Sequence, residues 1–365
     1  MVQGTETGTR IRLAWPDVGP EELAAIAEVL ESGFLTMGPK VAQFEAALAD
    51  ICGTGHAVAV SSGTAALHLA LHALGLGEGD EVIVPAYTFP ATANAVVLAG
   101  ARPVLVDVNP RTMNLDLSRL YDAVTARTRA VIAVHLFGRP LDWDALQSAV
   151  SPEVALIEDA AGALGALWRG MPCGGLGVMA CLSFHPRKVV TTGEGGAVTT
   201  SDLDLADAVR ASRHHGIVPH GEFDIAQPST NYRLSDLQCA IGISQVRRLD
   251  ELLAARRRVA TAYTERLADI VETPAADEGD RHGWQAYVVQ LERRDEVLAG
   301  LREQGIEAQI GTYALPRLSA YRGQGAFPGA DSCHERALAL PLHSRLSEAD
   351  IDRVAETLDK LVSKQ

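Results

Sequence analysis

Between residues 55 and 245, short apolar runs rich in β-branched residues alternate with longer helix-patterned stretches. The runs at 56–60 (HAVAV), 81–85 (EVIVP), 102–108 (RPVLVDV), 129–138 (RAVIAVHLFG), 153–160 (EVALIEDA), 179–184 (MACLSF) and 195–200 (GGAVTT) read as strands. Runs this continuously apolar need cover on both faces, and the helices between them supply the crossovers that parallel pairing requires. The expected architecture is therefore α/β: a mainly parallel central sheet with helices on both faces.

The pattern changes at Ser235. Residues 235–270 read as one long helical stretch, opened by a Ser-Asp cap signal. Beyond it, 285–292 reads as a strand, and 294–305 and 347–364 as helices. This gives a large domain over 1–245 and a small α+β domain over 246–365 that begins in the long linking helix. The N-terminal segment is expected against the small domain.

Charge and cysteine usage narrow the class. With 46 acidic against 32 basic side chains, the formal net charge is -14. The chain has no electrostatic footing for nonspecific nucleic-acid binding, and a phosphorylated ligand would need local donors. No apolar stretch is long enough to cross a bilayer, and no secretory signal is visible at the start, so no membrane association is expected. Cys52, Cys173, Cys181, Cys239 and Cys333 are scattered, without CxxC or zinc spacing. They read as reduced thiols of a cytoplasmic protein, with no metal site.

Asp159 closes the strand at 153–160. Lys188 follows the strand at 179–184, just ahead of a Gly193-Glu194-Gly195-Gly196 turn. Taken alone, the carboxylate reads as a helix N-cap and the lysine as a solvated surface residue. Two further segments change that reading. Residues 61–67 (SSGTAAL) put Gly63, Thr64 and Ala65 at a helix start, where free N–H groups and the helix dipole favour a phosphate. Residues 85–94 (PAYTFPATAN) offer Phe89 as a flat apolar face, ahead of Tyr87. A lysine amine, an acid for a pyridine nitrogen, donors for a phosphate and an aromatic cover are what pyridoxal 5'-phosphate (PLP) chemistry needs. Ligands in open α/β sheets gather at strand carboxyl ends, where these residues fall.

The chain resembles the DegT/StrS family of fold-type-I aminotransferases, which make amino sugars on nucleotide carriers. The resemblance runs through 33–45 (GFLTMGPKVAQFE), 61–71, 84–96, 158–166 (EDAAGALGA), 183–200 (SFHPRKVVTTGEGGAVTT), 231–245 (NYRLSDLQCAIGISQ) and 340–354 (LPLHSRLSEADIDRV), in family order. It implies that Lys188 carries the cofactor as a Schiff base and that Asp159 keeps the pyridine nitrogen protonated. It implies that Gly63, Thr64, Ala65 and Ser183 hold the phosphate and that Phe89 stacks on the ring. Asn231 would reach the phosphate in the neighbouring subunit's site, which implies a homodimer with shared active sites. The implied reaction moves an amino group from an amino acid, glutamate, to a keto sugar on a nucleotide, by analogy a 4-keto-6-deoxy sugar. Lys188 would shuttle the proton as a neutral amine.

The sequence departs from the family in two places. Members carry Gln, His or Glu three residues after the aspartate, where the side chain approaches the cofactor's ring oxygen; here that residue is Gly162. Water, a substrate group or another side chain must fill the gap. Where many members carry a His-Tyr pair and a later Pro-x-His, this chain has IGTYALPRL at 310–318, with Tyr313 as either a pocket or a packing residue. Arg256-Arg257-Arg258 reads as a solvated helix face, and His185 and His214-His215 carry no assigned chemistry. Other readings within the fold are a keto-cyclitol aminotransferase and a PLP-binding regulator without turnover. A sugar dehydratase, which the resemblance associates with histidine in place of the lysine, is at odds with Lys188.

Overall fold

A computed structural model describes residues 10–218, 221–225 and 227–363; the first residues, searched above for a secretory signal, lie outside that set. Seven strands form the main sheet: β1 (His56–Val60), β2 (Glu81–Pro85), β3 (Arg102–Val106), β4 (Thr128–Val134), β5 (Ala155–Asp159), β6 (Met179–Ser183) and β7 (Gly196–Thr200). Their order is β1-β7-β6-β5-β4-β2-β3. The pairs from β6 through β3 are parallel, whereas β7 runs antiparallel to both of its neighbours. The reversal follows from the connection: residues 184–195 contain no helix, and strands joined without a crossover pair antiparallel. All seven runs read as strands from sequence are strands here, trimmed by a few residues where loops begin. The carboxyl ends of β2, β4, β5 and β6 share one edge of the sheet.

Helices α1 (Pro20–Ser32), α2 (Pro39–Cys52) and α3 (Gly63–Ala73) precede or follow the first strand. On one side of the sheet Val41, Phe44 and Leu48 of α2 pack with Leu182, Ala197, Cys239 and Ile243. On the other, α3 buries Leu67, Leu69 and Leu71 against Val58, Val84 and Val198.

The helical stretch after Ser235 is two helices rather than one: α4 (Asp236–Arg247) and α5 (Leu249–Leu267). They break at Arg248, which leaves helical geometry at φ -103° and ψ 13°. Its guanidinium is pulled toward the N-terminal segment, pairing with Asp17 at 3.0 Å as well as with Glu251. Beyond α5, a three-stranded antiparallel sheet of β8 (Tyr287–Gln290), β9 (Gln309–Ile310) and β10 (Ala337–Leu340) carries α6 (Arg294–Glu303) and α7 (Glu348–Val362). The N-terminal segment lies against this region: Ile11 exchanges backbone hydrogen bonds with Gly305 and Glu307, and Leu13 accepts one from Leu342. Among the described residues, no helix is long and apolar enough to cross a membrane.

Candidate active site

Successive residues of a strand face opposite ways, so Glu158 and Asp159 at the end of β5 serve different surroundings. Glu158 is fully buried and accepts N–H groups from Gly174 (2.7 Å), Leu176 (2.7 Å) and Gly177 (2.9 Å). His135 adds a fourth contact at 3.0 Å. Its Nδ1 accepts from the Leu141 amide, so Nε2 carries the proton and donates to Glu158. Cys173 completes a group of three potential metal-ligating side chains here. The nitrogens of His135 and the oxygens of Glu158 are already engaged, and burial, reinforced by Glu158, pushes the Cys173 thiol well above its usual range. The cluster fastens the 173–177 loop.

Asp159 keeps more freedom. Its Oδ2 accepts the Thr92 hydroxyl at 2.8 Å, and its Oδ1 accepts the Ala161 amide at 3.2 Å. No helix begins at Asp159, so it is not an N-cap. Thr92 in turn lies 3.2 Å from Thr88, in the segment that offers Phe89.

Lys188 sits in a tightly held turn. Its amide donates to the His185 carbonyl at 2.8 Å, and the Thr191 hydroxyl and Thr192 amide both return to the Phe184 carbonyl. A Cβ at Gly195 would fall 2.3 Å from the Thr192 hydroxyl, so the glycine turn is a packing requirement. Among the described residues the Lys188 amine has no hydrogen-bond partner. Burial lowers its pKa, with Arg187 and Arg256 adding to the effect and Asp159 opposing it. An amine so placed is available as a neutral base or nucleophile.

Arg256 corrects the reading of a solvated basic face. It is buried and donates to the carbonyls of Trp284 (3.1 Å), Gln285 (3.2 Å), Leu342 (3.5 Å) and Lys188 itself (3.4 Å). Burial draws its pKa down to about 10. The signal was in the phase of the helix: Arg256 continues the buried stripe of Leu249, Leu252 and Leu253 toward Val259 and Tyr263. Arg257 and Arg258 are exposed, Arg258 pairing with Glu348.

The phosphate turn is assembled by close approach. Ser62 caps α3 by accepting the Ala65 amide at 3.1 Å, so Ala65 already has a partner. A Cβ at Gly63 would lie 2.9 Å from that of Ser183, which brings the helix start against the end of β6. The Gly63 and Thr64 amides and the Thr64 and Ser183 hydroxyls have no protein acceptor among the described residues. Phe89 is 62% exposed, its ring 6.3 Å from that of Tyr313. The 313–314 strand pairs with 87–88, so the C-terminal region supports the Phe89 loop. Tyr87 is buried and accepts the Thr312 amide, which makes it a packing residue. Asn231 is exposed, accepts the Arg233 amide at 3.3 Å and bridges to His214. None of these partners belongs to the group around Lys188.

The chain thus offers an anion cradle of open donors, an anchored carboxylate and a bare, half-buried amine along one sheet edge. These residues suit PLP: the cradle matches its phosphate, Asp159 its pyridine nitrogen and Lys188 its aldehyde.

Comparison with known proteins agrees. Residues 16–359 match the DegT/DnrJ/EryC1/StrS aminotransferase family. The chain is 41% identical to GDP-perosamine synthase of Caulobacter vibrioides, over 97% of this chain and 98% of the relative. It is 37% identical to the spore coat polysaccharide biosynthesis protein SpsC of Bacillus subtilis, over 95% and 96%. The PLP form of Spr1654 from Streptococcus pneumoniae, described as a sugar aminotransferase, superposes with a TM-score of 0.93 at 29% identity, covering 98% of this chain and 99% of that one. With its fold and its sequence in agreement, the chain belongs to the DegT/DnrJ/EryC1/StrS family and is a PLP-dependent aminotransferase.

Proposed function

We propose that this aminotransferase moves an amino group from glutamate to a keto sugar carried on a nucleotide, at C4 of a 4-keto-6-deoxy sugar. The observation that carries the reading is the 41% identity, over nearly the full length, to an enzyme whose name places its product on a nucleotide. The charge distribution supports it. In a chain of net charge -14, Arg10, Arg187 and Arg302 line one cavity of about 380 Å³ with a single carboxylate, Glu307, which pairs with Arg10; Arg187 is next to Lys188 in sequence. Guanidinium groups are the natural partners of phosphate oxygens.

Bound PLP supplies the electron sink that makes the donor's α-hydrogen acidic. Lys188, whose amine has no protein hydrogen-bond partner among the described residues, would take and return that proton as a neutral base. Asp159 holds the proton on the pyridine nitrogen, and Thr92 holds Asp159. The Gly63 and Thr64 amides with the Thr64 and Ser183 hydroxyls anchor the phosphate, and Phe89 covers the ring.

Two experiments test this reading. PLP-loaded protein is given glutamate and a panel of keto-sugar nucleotides and keto-cyclitols, and aminated products are identified by mass spectrometry. Amination of cyclitols alone would overturn the sugar assignment. In the second, Lys188→Ala subunits are mixed with Asn231→Asp subunits, whose added charge repels the phosphate. Activity returns if Asn231 serves the opposite subunit, because one site of each heterodimer then carries neither lesion. Confirmed subunit exchange without recovery assigns Asn231 to its own subunit.

A further inference from the structure

The space beside Gly162 is taken by a residue from the C-terminal region. A Cβ at Gly162 would stand 3.4 Å from both Cβ and Cγ of Gln285 and 3.6 Å from its Oε1. The Gln285 backbone is pinned on both sides: its amide donates to the Phe137 carbonyl at 3.0 Å, and its carbonyl accepts from Arg256. Gly138 closes the junction. A Cβ there would lie 2.9 Å from the Trp284 nitrogen, 3.0 Å from the Gly162 oxygen and 3.1 Å from the Gln285 nitrogen. Three stretches of backbone therefore meet, and the Gln285 amide group has no hydrogen-bond partner among the described residues.

The covalent structure of PLP says what faces this junction. Its ring nitrogen and aldehyde-bearing carbon are para to each other. The phosphate arm and the 3-oxygen sit on the two carbons flanking the latter. Asp159 and Lys188 set the nitrogen-to-aldehyde axis. The phosphate donors Gly63 and Ser183 lie on the β6 side of β5, so the 3-oxygen faces the β4 side. That is where Gly138, just past β4, meets Gly162 and Gln285. We propose that the Gln285 amide hydrogen-bonds the cofactor's 3-oxygen, standing in for the side chain that position 162 lacks. The proposal rests on the roles given above to Lys188, Asp159 and the phosphate turn.

An N–H donated to this oxygen draws electron density from it. The oxygen then holds the proton on the neighbouring lysine–cofactor nitrogen less tightly, so that nitrogen titrates at lower pH. The test uses PLP-loaded protein without substrate and follows the visible band of the bound cofactor against pH. In Gln285→Ala the midpoint should rise by about one pH unit, the size that one charge-assisted hydrogen bond carries. The pair Gly162→Gln with Gln285→Ala should bring it back, because the amide then reaches the same oxygen from the other side of the contact. A wild-type protein with no visible band would overturn the Lys188 assignment instead. A normal wild-type band with the Gln285→Ala midpoint unmoved overturns this proposal alone, as does a raised midpoint that the paired substitution leaves unchanged.

Discussion

Glu158 and Asp159 are consecutive carboxylates at the end of one strand, and they meet opposite treatment. Glu158 points into a sealed compartment where three backbone amides and His135 take up its oxygens. Asp159 points to the open edge, where among the described residues only the Thr92 hydroxyl and the Ala161 amide hydrogen-bond its carboxylate. The same contrast separates two cations of the site region: buried Arg256 gives its protons to four carbonyls, while the half-buried Lys188 amine has no hydrogen-bond partner among the described residues. Burial and charge are shared by both compartments. What marks the reactive one is hydrogen-bonding capacity that the protein leaves open.

Breaking the open side should cost activity and spare the fold. Lys188→Ala should abolish transamination and the visible band of the bound cofactor, with a loss of at least roughly 10²–10⁴-fold from proton transfer alone. Its thermal melt should stay close to wild type, since no hydrogen bond of the amine is lost. Turnover near the wild-type rate would remove Lys188 from the site. Asp159→Asn should still bind PLP but lose roughly 10²-fold or more in kcat, because a neutral amide does not favour a protonated ring nitrogen. An unchanged kcat would break the comparison at its centre.

Breaking the sealed side should do the reverse. Glu158→Gln turns an acceptor into a donor against the Gly174 amide and His135, leaving at least one buried N–H unpaired. That costs about 1–3 kcal/mol, read as a lower Tm, with kcat little changed. If kcat collapsed while the melt held, Glu158 would belong to the reaction. The smallest effect is expected where the compartments adjoin. Thr92→Val removes the hydroxyl that orients Asp159 and should lower kcat by about tenfold, or ~1.4 kcal/mol, without moving the Tm upward or downward by more than a degree or so. A loss as large as that of Asp159→Asn would make Thr92 a full partner in the chemistry.

Much of this was legible in the sequence because strands and their ends are local signals. Asp159, Lys188 and the Gly63–Ala65 turn each follow a short apolar run, and the parallel sheet lines those ends up. Arg256 was misread because a run of three arginines looks solvated, although its spacing from Leu252 and Leu253 placed one of them in the buried stripe. The break at Arg248 depends on Asp17, which no local window contains. Gln285 was out of reach for the same reason. Its position beside Gly162 depends on a three-way backbone meeting that only the folded chain reveals.

The Arg256 contacts also set limits on how the molecule can flex. One guanidinium holds the Lys188 turn on one hand and residues 284, 285 and 342 on the other. Swinging the C-terminal region away from that turn would strip acceptors from a buried charge, a penalty of several kcal/mol. A hinge is therefore locked at the point where it would be most useful for opening the cleft.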